Sequence, residues 1–453
     1  MHPHPDDMTN AIDKTATNGY TNGVKVAPPP ASTNGASTTT TTSNGTTTKE
    51  TPTNGTTTKE TPQNGTTTAP LPPATSPSLI LTHPTPTERR HTWLKSSTDW
   101  GAALPTPTYI ERESHLCSAS TLASSGGITH WILVDRSLPA DSRPVLATAE
   151  SLRKRTLVAT PGGEVREAVS HGIGSVFCYP EYRGHGYASR MMTELGGVLR
   201  GWQAEESRDQ KEVVFSKLYS DIGRGFYGRH GWMPFPSGHV EFPAAADGAG
   251  EGQNGKVGGG VKLLKTADLK ELCEADEGML RALMEKPSGD GKTRVAIPPD
   301  AEHFAWHRAR EEFVTRALFG RIPEIRGALV GEVGSRVWAV WTRGFYGKKG
   351  ETAKNTLYIL RLVVEEEMKG GKVDGDVLVR QLGEVVRVAR EEAREWGCGR
   401  VEVWNPSVVV GGALERVGGR TVEREKEGIA SVMWYGKEGE EVEWLANEKY
   451  AWC

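Results

Sequence analysis

The chain lacks any run of roughly 18–20 apolar residues, the length a membrane-spanning helix needs. It also lacks a basic excess. Lys and Arg number 54 against 57 Asp and Glu, a net charge of −3, so neither nucleic acid nor an anionic membrane is an expected partner. Cys117, Cys178, Cys273, Cys398 and Cys453 lie far apart, with no C-x-x-C pair and no histidine cluster at zinc spacing. That excludes a disulfide scaffold and a structural zinc site, and no metal is expected. The first residues, Met1-His-Pro-His-Pro-Asp-Asp, have neither the basic start nor the apolar stretch of a secretory signal, so a cytoplasmic protein is expected. Hydrophobic residues make up 36% of the 453 positions, lean for a chain of two-domain length, so part of it should stay unpacked.

That part is residues 1–77. Thr fills 23 of these positions, Tyr20 is the only Phe, Tyr or Trp, and a ten-residue repeat begins at Asn44, Asn54 and Asn64. Such a segment cannot bury enough apolar surface to offset backbone entropy of about 1–2 kcal/mol per residue, and a disordered low-complexity tail is expected. From Leu79 the pattern changes. Ile128–Asp135, Val145–Glu150, Gly172–Tyr179 and Val213–Leu218 read as strands, and Ser189–Trp202 reads as a helix. The Gly-rich stretch 244–260 reads as a linker. Residues 261–453 then resume a mixed α/β pattern, with helices at Ala305–Leu318 and Val377–Glu395 and strands at Val337–Trp341, Leu357–Val364 and Val401–Trp404. The expected organisation is a tail (1–77), an α/β domain (78–243), a linker (244–260) and a second α/β domain (261–453).

The two halves echo one another. At an offset of 187 positions, Val214-Phe-Ser-Lys-Leu-Tyr lies over Val401-Glu-Val-Trp-Asn-Pro, and Phe226-Tyr-Gly-Arg-His-Gly-Trp lies over Ala413-Leu-Glu-Arg-Val-Gly-Gly. In this alignment Tyr227 falls on Leu414, so only the first half keeps a potential acid there.

The sharpest chemical signal is Val176-Phe-Cys-Tyr-Pro-Glu-Tyr-Arg-Gly-His-Gly-Tyr-Ala-Ser, a strand running through Pro180 into a Gly-rich turn and a helix. Arg183, Gly186 and Ala188 fit R-x-x-G-x-A. Small residues let the backbone approach a ligand closely, and the free N–H groups of a helix start attract anions. These are the physical parts of a pyrophosphate cradle. No Lys-Ser or Lys-Thr pair follows the glycines, which disfavours nucleotide triphosphate hydrolysis.

Together with Phe226-Tyr227-Gly-Arg-His-Gly-Trp232, this arrangement resembles the GCN5-related N-acetyltransferase (GNAT) superfamily over about Leu79–Pro243. Leu218-Tyr-Ser-Asp-Ile-Gly-Arg and the ending Asn447-Glu-Lys-Tyr-Ala-Trp-Cys453 look like the fungal lysine N6-acetyltransferases of lysine catabolism. The resemblance implies a twisted mixed sheet flanked by helices, followed by a degenerate, non-catalytic relative of the same fold. It implies acetyl-coenzyme A (acetyl-CoA) as co-substrate, held by Phe177, Cys178, Arg183, Gly184, His185, Gly186, Tyr187 and Ala188. It further implies Tyr227 as the acid for the departing thiolate and a small-molecule amine, L-lysine, as acceptor. A polyamine, an aminosugar or a protein lysine is the alternative acceptor, and a non-catalytic acyl-CoA-binding scaffold is the alternative class.

A carboxylate should take the proton of the attacking ammonium. Glu150 is the choice among Glu150, Glu181 and Asp221, because strand residues there face the cleft in the family. Glu181 reads as a solvated turn residue and Asp221 as a cap for the following helix. His171 and His185 are further relay candidates. Cys178 reads as a small buried filler. In the second half Glu365-Glu-Glu-Met stands where the cradle should be, and its charge should repel a pyrophosphate.

Overall fold

The computed structural model describes residues 23–25, 71–124, 126–204, 211–245, 260–348 and 350–452. Most of the Thr-rich segment and of the Gly-rich stretch lies outside these residues.

A short strand, β1 (Gly23–Lys25), is followed by β2 (Leu79–Thr82) and two helices, α1 (Pro86–Trp100) and α2 (Thr106–Leu116). The one-turn α3 (Thr121–Ser124) leads into a meander of β3 (Ile128–Asp135), β4 (Ala147–Ala159) and β5 (Val165–Cys178). Then come α4 (Tyr187–Leu199), β6 (Val213–Ser220), the short α5 (Gly225–Gly228), β7 (Met233–Pro234) and β8 (Gly238–Pro243). The second half opens with β9 (Val261–Leu264), α6 (Leu269–Met284), β10 (Thr293–Ala296) and α7 (Ala301–Phe319). A second meander, β11 (Gly327–Val330), β12 (Val337–Gly344) and β13 (Thr356–Val364), precedes α8 (Glu365–Met368) and the amphipathic α9 (Gly375–Glu395). The described chain closes with β14 (Arg400–Trp404), α10 (Val408–Arg416), β15 (Arg420–Glu423), β16 (Ile429–Trp434) and β17 (Glu441–Trp444).

The strands form two sheets with one shared plan. The first runs β2-β3-β4-β5-β6-β16-β7, with β10, β17 and β1 continuing beyond β4; the second runs β9-β11-β12-β13-β14-β8-β15. In each, three antiparallel steps lead to one parallel pair, β5 with β6 and β13 with β14. The echo in the sequence is therefore a repeat of the fold.

The two copies exchange a strand. β16 lies between β6 and β7 of the first sheet, and β8 lies between β14 and β15 of the second. Division of the chain at 243/261 thus separates β8 from the second sheet and β10, β16 and β17 from the first. Physically, β6 and β14 each need a partner on their outer edge, and the strand that follows each half supplies the other's. One buried cluster accordingly joins Leu157, Phe215 and Phe235 to Val340, Leu360 and Trp404.

Two strand bounds move from the expected ones. β4 runs to Ala159 because Arg153, Lys154 and Arg155 interrupt the apolar alternation without ending the ladder. β5 begins at Val165 for the same reason, with Arg166 and Glu167 in its first turn of pleat.

Replacing Val432, fully buried in β16, by Asp places a carboxylate in the shared core and should cost more than about 4 kcal/mol. Calorimetry should show one transition moving as a whole. Two separate transitions, one at its original temperature, would contradict a common core.

Candidate active site

The first site element is the turn between β5 and α4. Gly184 and Gly186 have φ of 81° and 84°, which lets the chain reverse and start the helix at Tyr187. A Cβ on Gly184 would meet nothing within 4 Å, so the backbone angle and not crowding requires glycine there. Arg190 is the first residue whose N–H closes a helical bond, to the Gly186 carbonyl. Among the described residues, the N–H groups from Gly184 to Ser189 therefore have no acceptor. The Arg183 side chain turns back, donating from Nε to the Cys178 carbonyl at 3.0 Å and lying over the Phe177 ring. His185 Nδ1 lies 2.9 Å from the Arg183 carbonyl, and its ring stacks on Tyr187. Tyr187 and Arg190 in turn hold residues 71–77, through the carbonyls of Pro72 and Ala74 at 2.6 and 2.9 Å.

The second element is a splay. β5 and β6 pair from Val169/Val213 to Ile173/Leu218 and then part, leaving Gly174–Cys178 with no partner on that edge. Ser175, at φ 52°, marks a bulge in the same stretch. Tyr227, on α5 past the end of β6, is buried in the cluster that contains Tyr187, Met191 and Leu218. Burial, and secondarily the charge of Asp221, push its phenol well above the usual tyrosine range. Cys178 donates to the Leu146 carbonyl at 3.4 Å, and burial raises its thiol, as suits a filler and not a nucleophile.

The third element lies on the face of the sheet opposite α4. Glu150 is clamped there. His130 Nδ1 lies 3.1 Å from Oε1, and Ser175 Oγ donates to Oε2 at 2.9 Å. Burial alone would raise the carboxyl and lower the imidazole. The mutual charge and hydrogen bond outweigh it, holding Glu150 below its ordinary value and lifting His130 to about 9. His130 Nε2 in turn meets Cys117 Sγ at 3.5 Å, giving a chain from the bulge to the end of α2. Sequence reasoning missed His130 and Ser175. Alternation along β3 beside β4 is the signal that would have paired His130 with Glu150, since the two stand opposite in the ladder.

The other candidates lie elsewhere. Glu181 is exposed and paired with Lys95 at 2.8 Å. Asp221 accepts the Gly428 N–H at 3.0 Å, and no side chain caps α5, so it ties β6 to the turn before β16 and is not a helix cap. His171 is fully buried, bonded to the Trp202 carbonyl at 2.9 Å and pushed down to about 4 by burial, so it is no proton relay to the cleft. His239, Glu241 and Glu402 could together reach a metal ion, but they sit on the second sheet with their carboxylates engaged by Arg400, Trp404 and Arg420. No described helix is long and apolar enough to cross a membrane.

Residues 239–453 match the family model described as LYC1 GNAT-like C-terminal domain. A lysine acetyltransferase of Yarrowia lipolytica is 23% identical over 409 residues, which cover 82% of this chain and 98% of that protein. Residues 239–453 thus match a GNAT-like domain, and the chain as a whole is similar to a lysine acetyltransferase. An uncharacterized protein of Saccharomyces cerevisiae is 23% identical over 356 residues, 72% of this chain and 83% of that one. The N-myristoyltransferase of Saccharomyces cerevisiae with bound myristoyl-CoA superposes with a TM-score of 0.46 at 10% identity, over 82% of each chain.

In the LYC1-like second half the corresponding cleft is filled. β13 and β14 part after Ile359/Val403, but the Leu362 N–H is taken by Glu448 Oε2 at 2.9 Å. Below it Ser407 Oγ donates to Glu367 Oε1 at 2.5 Å, joining α10 to α8. Glu365 is not a bare charge. It is buried, paired with Arg336 at 2.7 Å and accepts the N–H groups of Gly334 and Arg336. Closure by neutralised carboxylates, more than repulsion, removes the cradle.

Two outcomes follow for this GNAT-type site. Gly184→Ala, forced to keep a positive φ, should weaken binding of acetyl-CoA at least tenfold by calorimetry while the melting temperature shifts by a few degrees at most; unchanged affinity would separate the turn from the ligand. For His130 the folded pKa lies above the unfolded value of about 6.5, so the stability it contributes is full below that pH and lost as pH rises through about 9. Urea unfolding should show this loss between pH 7 and 10, and His130→Gln combined with Glu150→Gln should flatten it. Superimposable profiles would show that the pair is not ionised.

Proposed function

We propose that the chain transfers the acetyl group of acetyl-CoA to the side-chain amine of free L-lysine. The observation that carries this reading is the run of unsatisfied N–H groups from Gly184 to Ser189 beside the unpaired edge of Gly174–Cys178. Successive N–H donors at the start of a 13-residue helix suit a pyrophosphate, and a free strand edge suits an amide-bearing arm lying as an extra strand. The lysine acceptor rests on the likeness to the Yarrowia lipolytica enzyme and on the motifs of the sequence. The motif resemblance in the sequence supports a place for the reaction in lysine breakdown, with the cytoplasm as the proposed compartment.

Acetyl-CoA supplies an activated thioester. The protein's task is to position it, take one proton and return one. A lysine ammonium of pKa about 10.4 costs about 4.6 kcal/mol to deprotonate at pH 7. Glu150 is the group for that proton: it is ionised, held by His130 and Ser175, and faces away from the cradle helix. Burial favours its protonation, while the His130 charge and hydrogen bond hold it ionised, so transfer of a proton from the ammonium to Glu150 requires the proton to pass on toward His130 or solvent. Phe177 and Cys178 line the free edge whose N–H groups would stabilise charge developing on the carbonyl oxygen. As the C–S bond breaks, Tyr227 Oη gives its proton to sulfur, and the second proton that the nitrogen sheds on becoming an amide restores the phenol through solvent, so one proton is released overall. Burial that raises the phenol also raises a thiol released beside it, so the two remain matched more closely than their values in water suggest.

Incubation of the purified protein with acetyl-CoA and a panel of L-lysine, spermidine, glucosamine and a lysine-containing peptide tests the reading by mass spectrometry of the products. N6-acetyllysine should dominate. Strong activity on the peptide with none on lysine would overturn the acceptor. Tyr227→Phe should reduce kcat by about 10²–10⁴-fold with acetyl-CoA affinity retained. Equal turnover in the variant would remove Tyr227 from the reaction.

A further inference from the structure

The face of the first sheet that carries Glu150 is roofed by α7. Leu152 stands two residues beyond Glu150 on β4 and therefore on the same face, and Trp306 of α7 packs with it. Trp306 meets Trp452 at 6.1 Å between ring centroids. One turn further along α7, Arg310 places its guanidinium 5.4 Å from the centroid of that same Trp452 ring. Arg310 is half-buried, points with Trp306 and His307 toward the interior, and has no carboxylate within ion-pair reach among the described residues. More deeply buried guanidiniums are met either by acids, as Arg326 and Arg343 are by Glu311 and Arg361 by Asp276, or by main-chain carbonyls, as Arg294 and Arg424 are; Arg310 has neither among the described residues.

A second guanidinium faces the same space. Arg112 of α2 is buried, lies over the Tyr109 ring at 4.6 Å and has a single acid, the adjacent Glu113. α2 packs against α7, and burial, with the charge of Arg310 after it, lowers the Arg112 pKa. Tyr109 leads toward the proton acceptor through α1: its phenol oxygen lies 3.3 Å from Ser96 Oγ, and Trp93 on the same helix meets the His130 ring edge-on at 5.9 Å. The side of the sheet that carries Glu150 is thus flanked by two guanidiniums, Arg112 and Arg310, of which only Arg112 has an acid of its own.

We propose that Arg310, supported by Arg112, binds the α-carboxylate of the acceptor and so restricts the enzyme to a free amino acid with a side-chain amine. The proposal rests on the acetyl-transfer reading above. Of the acceptors considered, free lysine alone has a carboxylate; a polyamine, an aminosugar and a lysine within a peptide chain do not. A desolvated guanidinium that lacks an acid is costly, and a bidentate carboxylate is the partner its geometry suits. Selectivity then comes as much from the penalty of leaving Arg310 unpaired as from the bond to lysine.

The test compares L-lysine with 1,5-diaminopentane, which keeps the amine and the chain but has no carboxylate. The intact protein should favour lysine by at least 100-fold in kcat/KM. Arg310→Gln should cut that ratio at least tenfold, mainly through a higher KM for lysine, and Arg310→Lys should restore part of it. Equal use of both amines by the intact protein, or a parallel loss on both in Arg310→Gln, would overturn the carboxylate site while leaving acetyl transfer standing. Absence of acetylated product from either amine, with acetyl-CoA still bound in calorimetry, would instead remove the acetyl-transfer reading and the carboxylate site with it.

Discussion

The structure depends on a reciprocal exchange of the edge partners β8 and β16, with β10 and β17 of the second half also joined to the first sheet. Each half builds a sheet that opens between its parallel strands, and such an opening leaves the outer strand, β6 or β14, held on one side only along part of its length. Its remaining edge must be paired for the splay to be stable. β16 does this for β6 and β8 does it for β14, each over five or more residues of ladder. Neither opening can therefore exist without the other half, and the buried cluster that spans both sheets makes the cost of separation a core's worth of apolar surface.

Within that frame the two halves differ by what meets the open edge. In the first, glycines with positive φ leave a series of N–H groups facing outward at the start of α4. In the second, the equivalent strand end runs at once into α8, whose Glu365 and Glu367 are bonded to Arg336 and Ser407. The strand plan is the same but the edges differ: one offers a series of unsatisfied donors, and on the other the Leu362 N–H is taken by Glu448. The absence of a phenol at Leu414, where the first half has Tyr227, belongs to the same divergence.

What the sequence disclosed follows from how local each feature is. The cradle, the helix it opens and Tyr227 lie within short contiguous stretches, and glycine spacing alone marks the turn. Repetition was visible because β6–α5–β7 and β14–α10–β15 keep a common offset. Strand exchange was not, because β8 and β16 have no property that says which edge they pair. α1 went unread since it has almost no apolar periodicity, although Thr85 and Glu88 form a capping box around Pro86 and mark its start. The acceptor face drew His130 from β3, Ser175 from β5, Arg112 from α2 and Arg310 from α7. No spacing rule links positions so far apart, and the burial that perturbs them exists only once the sheet is roofed.

Residues 447–452 connect the two halves chemically. Glu448 reaches Arg361 and the Leu362 N–H of the second sheet, filling its opening. Lys449 is enclosed by the rings of Tyr358, Trp404 and Trp452 at 4.0–4.5 Å, where burial lowers its pKa to about 7. The next residues turn to the first sheet. The Tyr450 carbonyl meets His307 Nε2 at 3.1 Å, and Lys217 donates to the Ala451 carbonyl. Trp452 then becomes the ring on which Arg310 rests. A segment pinned at Glu448 by the closed cleft is thereby fixed in position to wall the open one. Filling of the opening in the second sheet and packing against α7 over the first are, on this geometry, two effects of the same six residues.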